Sequence, residues 1–225
     1  MTAMIREHPA ETGSTTVPAA PSSTRSHPMM IAIVLFFYAV MSIITIISWA
    51  RHDAGLQMRV AGLGLGAMYA VCVWHCTVVK GGRQAAAFFS LAAVLTFTAE
   101  FVGSNYGWIF GDYDYTGGLG PRIGGVPILI VVVWGVVLYS SFMLITWVGG
   151  VSGRPRPRSW GGRIAWSAML AAATGLVATA WDLMADPMAV SGVWNSLLGL
   201  EPWWWWEGGS YLPELQTHID MEGVG

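Results

Sequence analysis

Long apolar stretches separated by short polar ones organise this chain. They fall at roughly 29–50, 60–79, 85–102, 126–148 and 164–185. Each is close to the ~20 residues that carry an α-helix across about 30 Å of hydrocarbon. The pattern predicts an all-α, polytopic membrane bundle of about five to six transmembrane helices. A sixth piece near 188–206 holds Asn195, Glu201 and Pro202 and is expected to be interfacial rather than spanning. Its run Trp203-Trp204-Trp205-Trp206 suits the aromatic belt of a membrane surface. Residues 1–27 are rich in Pro, Ser and Thr, cannot bury enough apolar surface to offset their ordering entropy, and read as a disordered tail. The apolar run from Met29 is too long for the 7–15-residue core of a signal peptide. The organisation expected is therefore a tail over 1–27, a transmembrane domain over 28–206, and a polar C-terminal tail over 207–225.

Composition agrees with the pattern. Of 225 residues, 54% are hydrophobic and 11% charged, against about 25% charged in ordinary soluble domains. A formal charge of −2 with no basic stripe excludes a nucleic-acid-binding surface. Basic residues orient such a bundle. Arg6, Arg25, Lys80, Arg83, Arg154, Arg156, Arg158 and Arg163 fall on one side of a five-span layout, and Arg51, Arg59 and Arg122 on the other. This places the N-terminus in the cytoplasm of a multi-pass cell-membrane protein. Glu100, Asp112, Asp114, Asp182 and Asp186 then share the opposite membrane face.

Those carboxylates are the candidate chemistry, because ionisable groups inside spans are costly and usually functional. Glu100 ends the third stretch. Asp182 and Asp186 are four apart and share one helix face, with Pro187 expected to end the helix. Acids that crowd one another in an apolar setting favour a retained proton, which is what general acid catalysis needs. The plainer alternative is that they are solvated interfacial groups. The segment from Gly103 to Pro121 holds glycines that break helix and a high density of aromatics and acids. It reads as a structured loop at the mouth of a site, against the alternative of an ordinary interfacial connector. Other features read as structure. Gly62, Gly64 and Gly66 lack the preceding strand of a dinucleotide fingerprint, so Gly62 and Gly66 are expected to be a helix-packing pair. Cys72, His75 and Cys76 lack a fourth metal ligand, and no metal site is expected.

With these motifs in view, the chain resembles the CruF-like carotenoid hydratase family of membrane proteins. The resemblance rests on Glu100-Phe101-Val102-Gly103, on Gly107-x-x-Phe110-Gly111-x-Tyr113-x-Tyr115, and on Leu119-Gly120-Pro121 and Gly125-Val126-Pro127 with Trp134 following. It continues through Trp181-Asp182-Leu183, Asp186-Pro187-Met188 and Gly192-x-Trp194, and covers roughly residues 60–194. The family's later Gly-x-Tyr-x-Gly-Val-Pro-x-x-Asn element is matched only at its start, by Gly209-Ser210-Tyr211, and its last spans do not follow. The chain thus reads as a C-terminally shortened member, either a short variant or a truncated one.

The resemblance implies addition of water to the terminal 1,2 double bond of an acyclic carotenoid end, without a cofactor. The implied partners are the lipid bilayer and a carotenoid, with room for other carotenoid-pathway enzymes. Asp182 and Glu100 are the expected acid/base pair, with Asp112, Asp114 and Asp186 in support. Trp108, Phe110, Tyr113, Tyr115 and Trp181 are expected to line the polyene end. Two other classes compete: a Mg²⁺-dependent membrane prenyltransferase using Asp112 and Asp114, and a non-enzymatic proton-coupled transporter, for which no inverted repeat is visible. The orientation is testable by labelling single cysteines put in place of Ser152 and Ser104. Ser152→Cys is expected to react from the cytoplasmic face and Ser104→Cys from the outer one; the reverse result overturns the topology.

Overall fold

Five helices follow the five apolar stretches. The computed structural model describes residues 28–109, 111–153, 155, 157–190 and 203–207, so the expected tail over 1–27 and, apart from Glu207, the one over 207–225 lie outside the described residues. The helices are α1 (Pro28–Ala50), α2 (Ala54–Lys80), α3 (Gly82–Tyr106), α4 (Ile128–Val148) and α5 (Trp160–Ala189). All five are long and apolar enough to cross a membrane, and the protein is a polytopic helical membrane bundle. Short strands decorate it: β1 (Asp112–Tyr115), β2 (Arg122–Ile123), β3 (Val126–Pro127) and β4 (Trp204–Glu207). β2 pairs with β3 and β1 with β4, both antiparallel.

Local chemistry sets the turns. Between α1 and α2, the Asp53 carboxylate caps α2 by accepting the Leu56 N–H at 2.8 Å. Ser48, fully buried, bonds Gln57 Oε1 at 2.6 Å and ties the two helices together. α2 passes into α3 through Gly81 alone, whose φ of +96° is open to glycine and strained for other residues. Around the bundle, α4 packs against α2, α3 and α5, whereas α1 leans on α2. Successive helices run antiparallel, since Glu100, Ile130 and Asp186 meet at one end of the bundle and Lys80, Phe88, Thr146 and Arg163 at the other. The α2–α3 turn and the α4–α5 link therefore share one end. The α1–α2 turn, the α3–α4 loop and the end of α5 share the other.

Three expectations need correction. Helix α3 runs on to Tyr106, so Gly103 to Tyr106 is its last turn rather than loop. Ser104 Oγ and Asn105 Nδ2 donate back to the carbonyls of Glu100 and Phe101 at 2.8 and 3.0 Å, and the helix stops only at Gly107 in the left-handed conformation. Pro187 does not end α5, which reaches Ala189. Proline there removes a single donor near a helix end, and the ladder resumes with the Val190 N–H on the Asp186 carbonyl at 3.1 Å. Among the described residues, the glycine pair at 62 and 66 forms no packing seam. A Cβ at either would meet nothing within 4 Å.

The close helix approach is elsewhere. A Cβ at Gly135 of α4 would lie 2.5 Å from Cε2 of Tyr69 on α2, whose ring is held edge-on against Phe89 at 5.2 Å. We expect Gly135→Leu to destabilise the bundle by about 1–3 kcal/mol through overpacking. Gly66→Ala should be neutral or mildly stabilising because the helix gains propensity. Thermal unfolding in detergent checks both; a larger loss from Gly66→Ala would reverse the assignment of the close contact.

Candidate active site

Glu100 anchors the site. It is the one carboxylate of α3, placed in the last two turns of the helix, and only 6% of its surface is exposed. Burying such a group in an apolar bundle is expensive unless its oxygens are satisfied. Tyr113 and Tyr115 donate their hydroxyls to the same oxygen, Oε2, at 2.7 and 2.5 Å. Trp134 Nε1 of α4 donates to Oε1 at 2.9 Å. Three neutral donors thus hold both oxygens. Indole N–H can only donate, so Glu100 is an acceptor toward α4.

The strand period explains the tyrosines. Residues two apart on β1 face the same way, so Tyr113 and Tyr115 turn inward and are buried while Asp112 and Asp114 turn outward and are exposed. The strand is fixed in place by its surroundings. Its register pairs Tyr113 with Trp206 and Tyr115 with Trp204 across β4. The Trp203 N–H bonds the Ala189 carbonyl at the end of α5, and the Trp203 carbonyl accepts the Thr116 N–H, both at 3.0 Å. Arg122 Nη2 donates to the carbonyls of Tyr115, at 2.8 Å, and Thr116. Burial, then the neighbouring Glu100 charge, pushes both tyrosine hydroxyls above their ordinary range. They therefore remain O–H donors under any physiological condition.

A cavity of about 270 Å³ opens beside this cluster, between α3, α4 and α5 and beneath β1 and β4. Glu100, Tyr113, Tyr115 and Trp134 form one side. The other side is α5, whose Trp181, Asp182, Ala185, Asp186 and Ala189 recur at helical spacing along one face. Asp182 and Asp186 are within side-chain hydrogen-bonding reach of each other. Trp203 and Trp204 complete the wall, and the Trp204 ring meets Tyr115 edge-on at 6.1 Å. The rest of the lining is apolar. Three carboxyl groups thus meet on an otherwise largely apolar wall.

Of the residues singled out in the sequence, the fold gathers Glu100, Asp182, Asp186, Tyr113, Tyr115 and Trp181 on this cavity. Asp112 and Asp114 do not line it. An Asp112 carboxylate oxygen instead sits where a Gly107 Cβ would be, closing over the turn that ends α3. Trp108 is 78% exposed and packs on Tyr106, away from the cavity. Phe110 lies outside the described residues. Sequence reasoning missed Trp134, Trp203 and Trp204 as site residues. For Trp134 the signal was present, since an indole N–H deep in an apolar span needs an acceptor. Of the tryptophan run, Trp204 to Trp206 lie in β4, and Trp203 and Trp204 stand on the cavity wall. Elsewhere, His75 Nδ1 lies 2.7 Å from the Tyr139 hydroxyl, and Cys72 and Cys76 pack into the core beside it. Among the described residues no group of three or more His, Cys, Asp or Glu could hold a metal ion.

A family model described as carotenoid biosynthesis protein matches residues 57–213, a stretch that contains every residue of the cavity wall. No curated protein and no solved structure matches the chain. The chain belongs to the carotenoid biosynthesis protein family.

The hydrogen bonds to Glu100 predict a measurable coupling. Tyr115→Phe leaves a buried carboxylate short of a donor and should cost about 1–3 kcal/mol. In the Glu100→Gln background the same change should cost clearly less. A double-mutant cycle by denaturant unfolding reads this; additive costs would mean that the two side chains do not act on each other.

Proposed function

We propose that this member of the carotenoid biosynthesis family adds water across the terminal 1,2 double bond of an acyclic carotenoid end. The observation that carries the reading is the convergence of Glu100, Asp182 and Asp186 on an otherwise apolar, aromatic-walled cavity inside a membrane bundle. A carotenoid dissolved in the bilayer needs such a site, because it cannot leave the hydrocarbon to meet an acid in water. The cavity's volume, about 270 Å³, lies just below the ~300–1,000 Å³ of pockets that enclose a drug-sized ligand. That suits one end of a long polyene, with the remainder outside the cavity.

The chemistry follows from the residues. The Asp182–Asp186 pair delivers a proton to carbon 2 of the end. The double bond's electron pair forms the new C–H bond, and carbon 1 is left as a tertiary cation. The Glu100 charge and the faces of Trp134 and Trp181 steady that cation. A water oxygen then bonds carbon 1 and gives up its extra proton to Glu100. A proton returns from Glu100 to the aspartates, so the protein is restored and the substrate has gained one water as a tertiary alcohol. Asp112 and Asp114, outside the cavity, serve the loop rather than the reaction. The same reading keeps the N-terminus cytoplasmic in the cell membrane, with the cavity at the outer face, and leaves other carotenoid-pathway enzymes as neighbours that supply and remove the pigment.

Asp182→Asn keeps shape and volume and removes the ionisable proton. A positioned acid or base contributes about 10²–10⁴-fold in rate, so hydration should fall by that order, and Glu100→Gln should behave similarly. Arg83→Gln, at the far end of the bundle, should leave the rate unchanged. Pigments from a lycopene-producing host expressing each form are read by mass, as a gain of one water per reacted end. Equal hydration by wild type and Asp182→Asn would remove the carboxylate from the mechanism. A product with an added prenyl unit would replace the reading by prenyl transfer.

A further inference from the structure

The opposite end of the bundle carries a second recess. A groove of about 730 Å³ runs between α3, α4 and α5 toward the end that holds the α2–α3 turn. Its walls are apolar, with Leu91 and Leu95 of α3, Phe142 of α4 and Leu170 of α5 among them. Leu91 and Leu95 are each 60% exposed, so the groove opens sideways, where the surrounding medium is lipid. At its rim stand two cations, Lys80 at the end of α2 and Arg163 in the first turn of α5.

Among the described residues these cations have no carboxylate at hand. Every acidic residue of the described chain (Asp53, Glu100, Asp112, Asp114, Asp182, Asp186 and Glu207) belongs to the other end of the bundle. Arg83 and Arg158 add to the positive charge at this end. Lys80 Nζ lies 5.9 Å from the Phe142 ring centroid and Arg163 Cζ 5.6 Å from that of Trp160. Aromatic rings orient such heads without neutralising them. The N-terminus of α5 adds a partial positive charge beside Arg163. An apolar trough open to lipid, with two uncompensated cations at interfacial depth, complements an amphiphile with an anionic head and a hydrocarbon tail.

We propose that this groove binds an anionic phospholipid. The phosphate lies between Lys80 and Arg163, and an acyl chain lies along the trough against Leu91, Leu95, Phe142 and Leu170. The lipid occupies the interhelical gap at this end, as the aromatic cavity occupies it at the other.

Native mass spectrometry of the full chain in detergent tests this with phosphatidylglycerol and phosphatidylcholine of identical acyl chains. A basic residue near the membrane surface contributes roughly fivefold in binding of an anionic lipid, so two give a preference of roughly 25- to 30-fold for phosphatidylglycerol. The doubly substituted Lys80→Gln, Arg163→Gln chain should lose that preference. Lys80→Arg with Arg163→Lys should keep it, as should Arg51→Gln with Arg59→Gln at the other end. Glycerol phosphate, which has the anion without the tail, should not displace the lipid. Equal retention of the two lipids by wild type overturns the proposal. So does a preference that survives loss of both cations, one that depends on Arg51 and Arg59, or displacement by glycerol phosphate.

Discussion

A carboxylate buried among helices, held by three neutral donors, governs how this molecule is built. The donors to Glu100 come from two places, the α3–α4 loop through Tyr113 and Tyr115 and helix α4 through Trp134. For both tyrosines to reach one oxygen, the loop must be extended over Asp112–Tyr115, since only a strand returns every second residue to the same face. A lone strand of four residues would not persist at a membrane surface with its backbone groups unpaired. β4 pairs it from beyond α5, and the Trp203 backbone joins Thr116 on one side to the Ala189 carbonyl on the other. The satisfaction of one side chain thus fixes a loop, a distant strand and the end of the helix that bears Asp182 and Asp186.

Charge is divided along the bundle to the same effect. Among the described residues every acid lies at the cavity end, together with Arg51, Arg59 and Arg122, whereas the groove end holds cations alone, and each end has a recess between α3, α4 and α5. Those acids therefore do not neutralise the cations of the groove end. On the two proposals, the carboxylates serve a ligand in one recess and the cations a ligand in the other. Internal salt bridges across the bundle would have stabilised it little after desolvation and would have consumed both groups.

The spans were legible because five apolar runs of membrane length leave few alternatives. Glu100, Asp182 and Asp186 stood out because an ionisable residue in such a run has few inert explanations. What the sequence concealed was mostly non-local. That Tyr113 faces inward and Asp112 outward depends on strand pairing with residues some 90 positions later in the chain, and nothing around Trp204 announces a partner for Asp112–Tyr115. Glycines at 62 and 66 carry a spacing that packs helices in many bundles, yet the tight approach falls at Gly135, because what decides is the ring of Tyr69 opposite it. Proline 187 was read by its own preference, whereas its nearness to the helix end reduces the loss to one hydrogen bond.

The nature of the donors bears on the proposed chemistry. An arginine would satisfy both Glu100 oxygens with a single side chain and excellent geometry. It would also place a positive charge beside the carbon that becomes a cation, and cancel the negative charge meant to steady it. Tyrosine and tryptophan donate hydrogen bonds while remaining neutral, so the carboxylate is satisfied and its field survives. Because burial and the carboxylate itself hold the tyrosine protons in place, the donors cannot switch to acceptors as the reaction proceeds. Their rings then serve twice, by fixing Glu100 through their polar tips and by presenting π-faces and apolar edges to the hydrocarbon end. A site built for an anionic intermediate would invert these choices, with cations where the phenols stand. On the proposed reaction, a carbocation inside a membrane requires an electron-rich environment, and the Glu100 cluster supplies it from three parts of the chain, the carboxylate from α3, the phenols from β1 and the indole from α4.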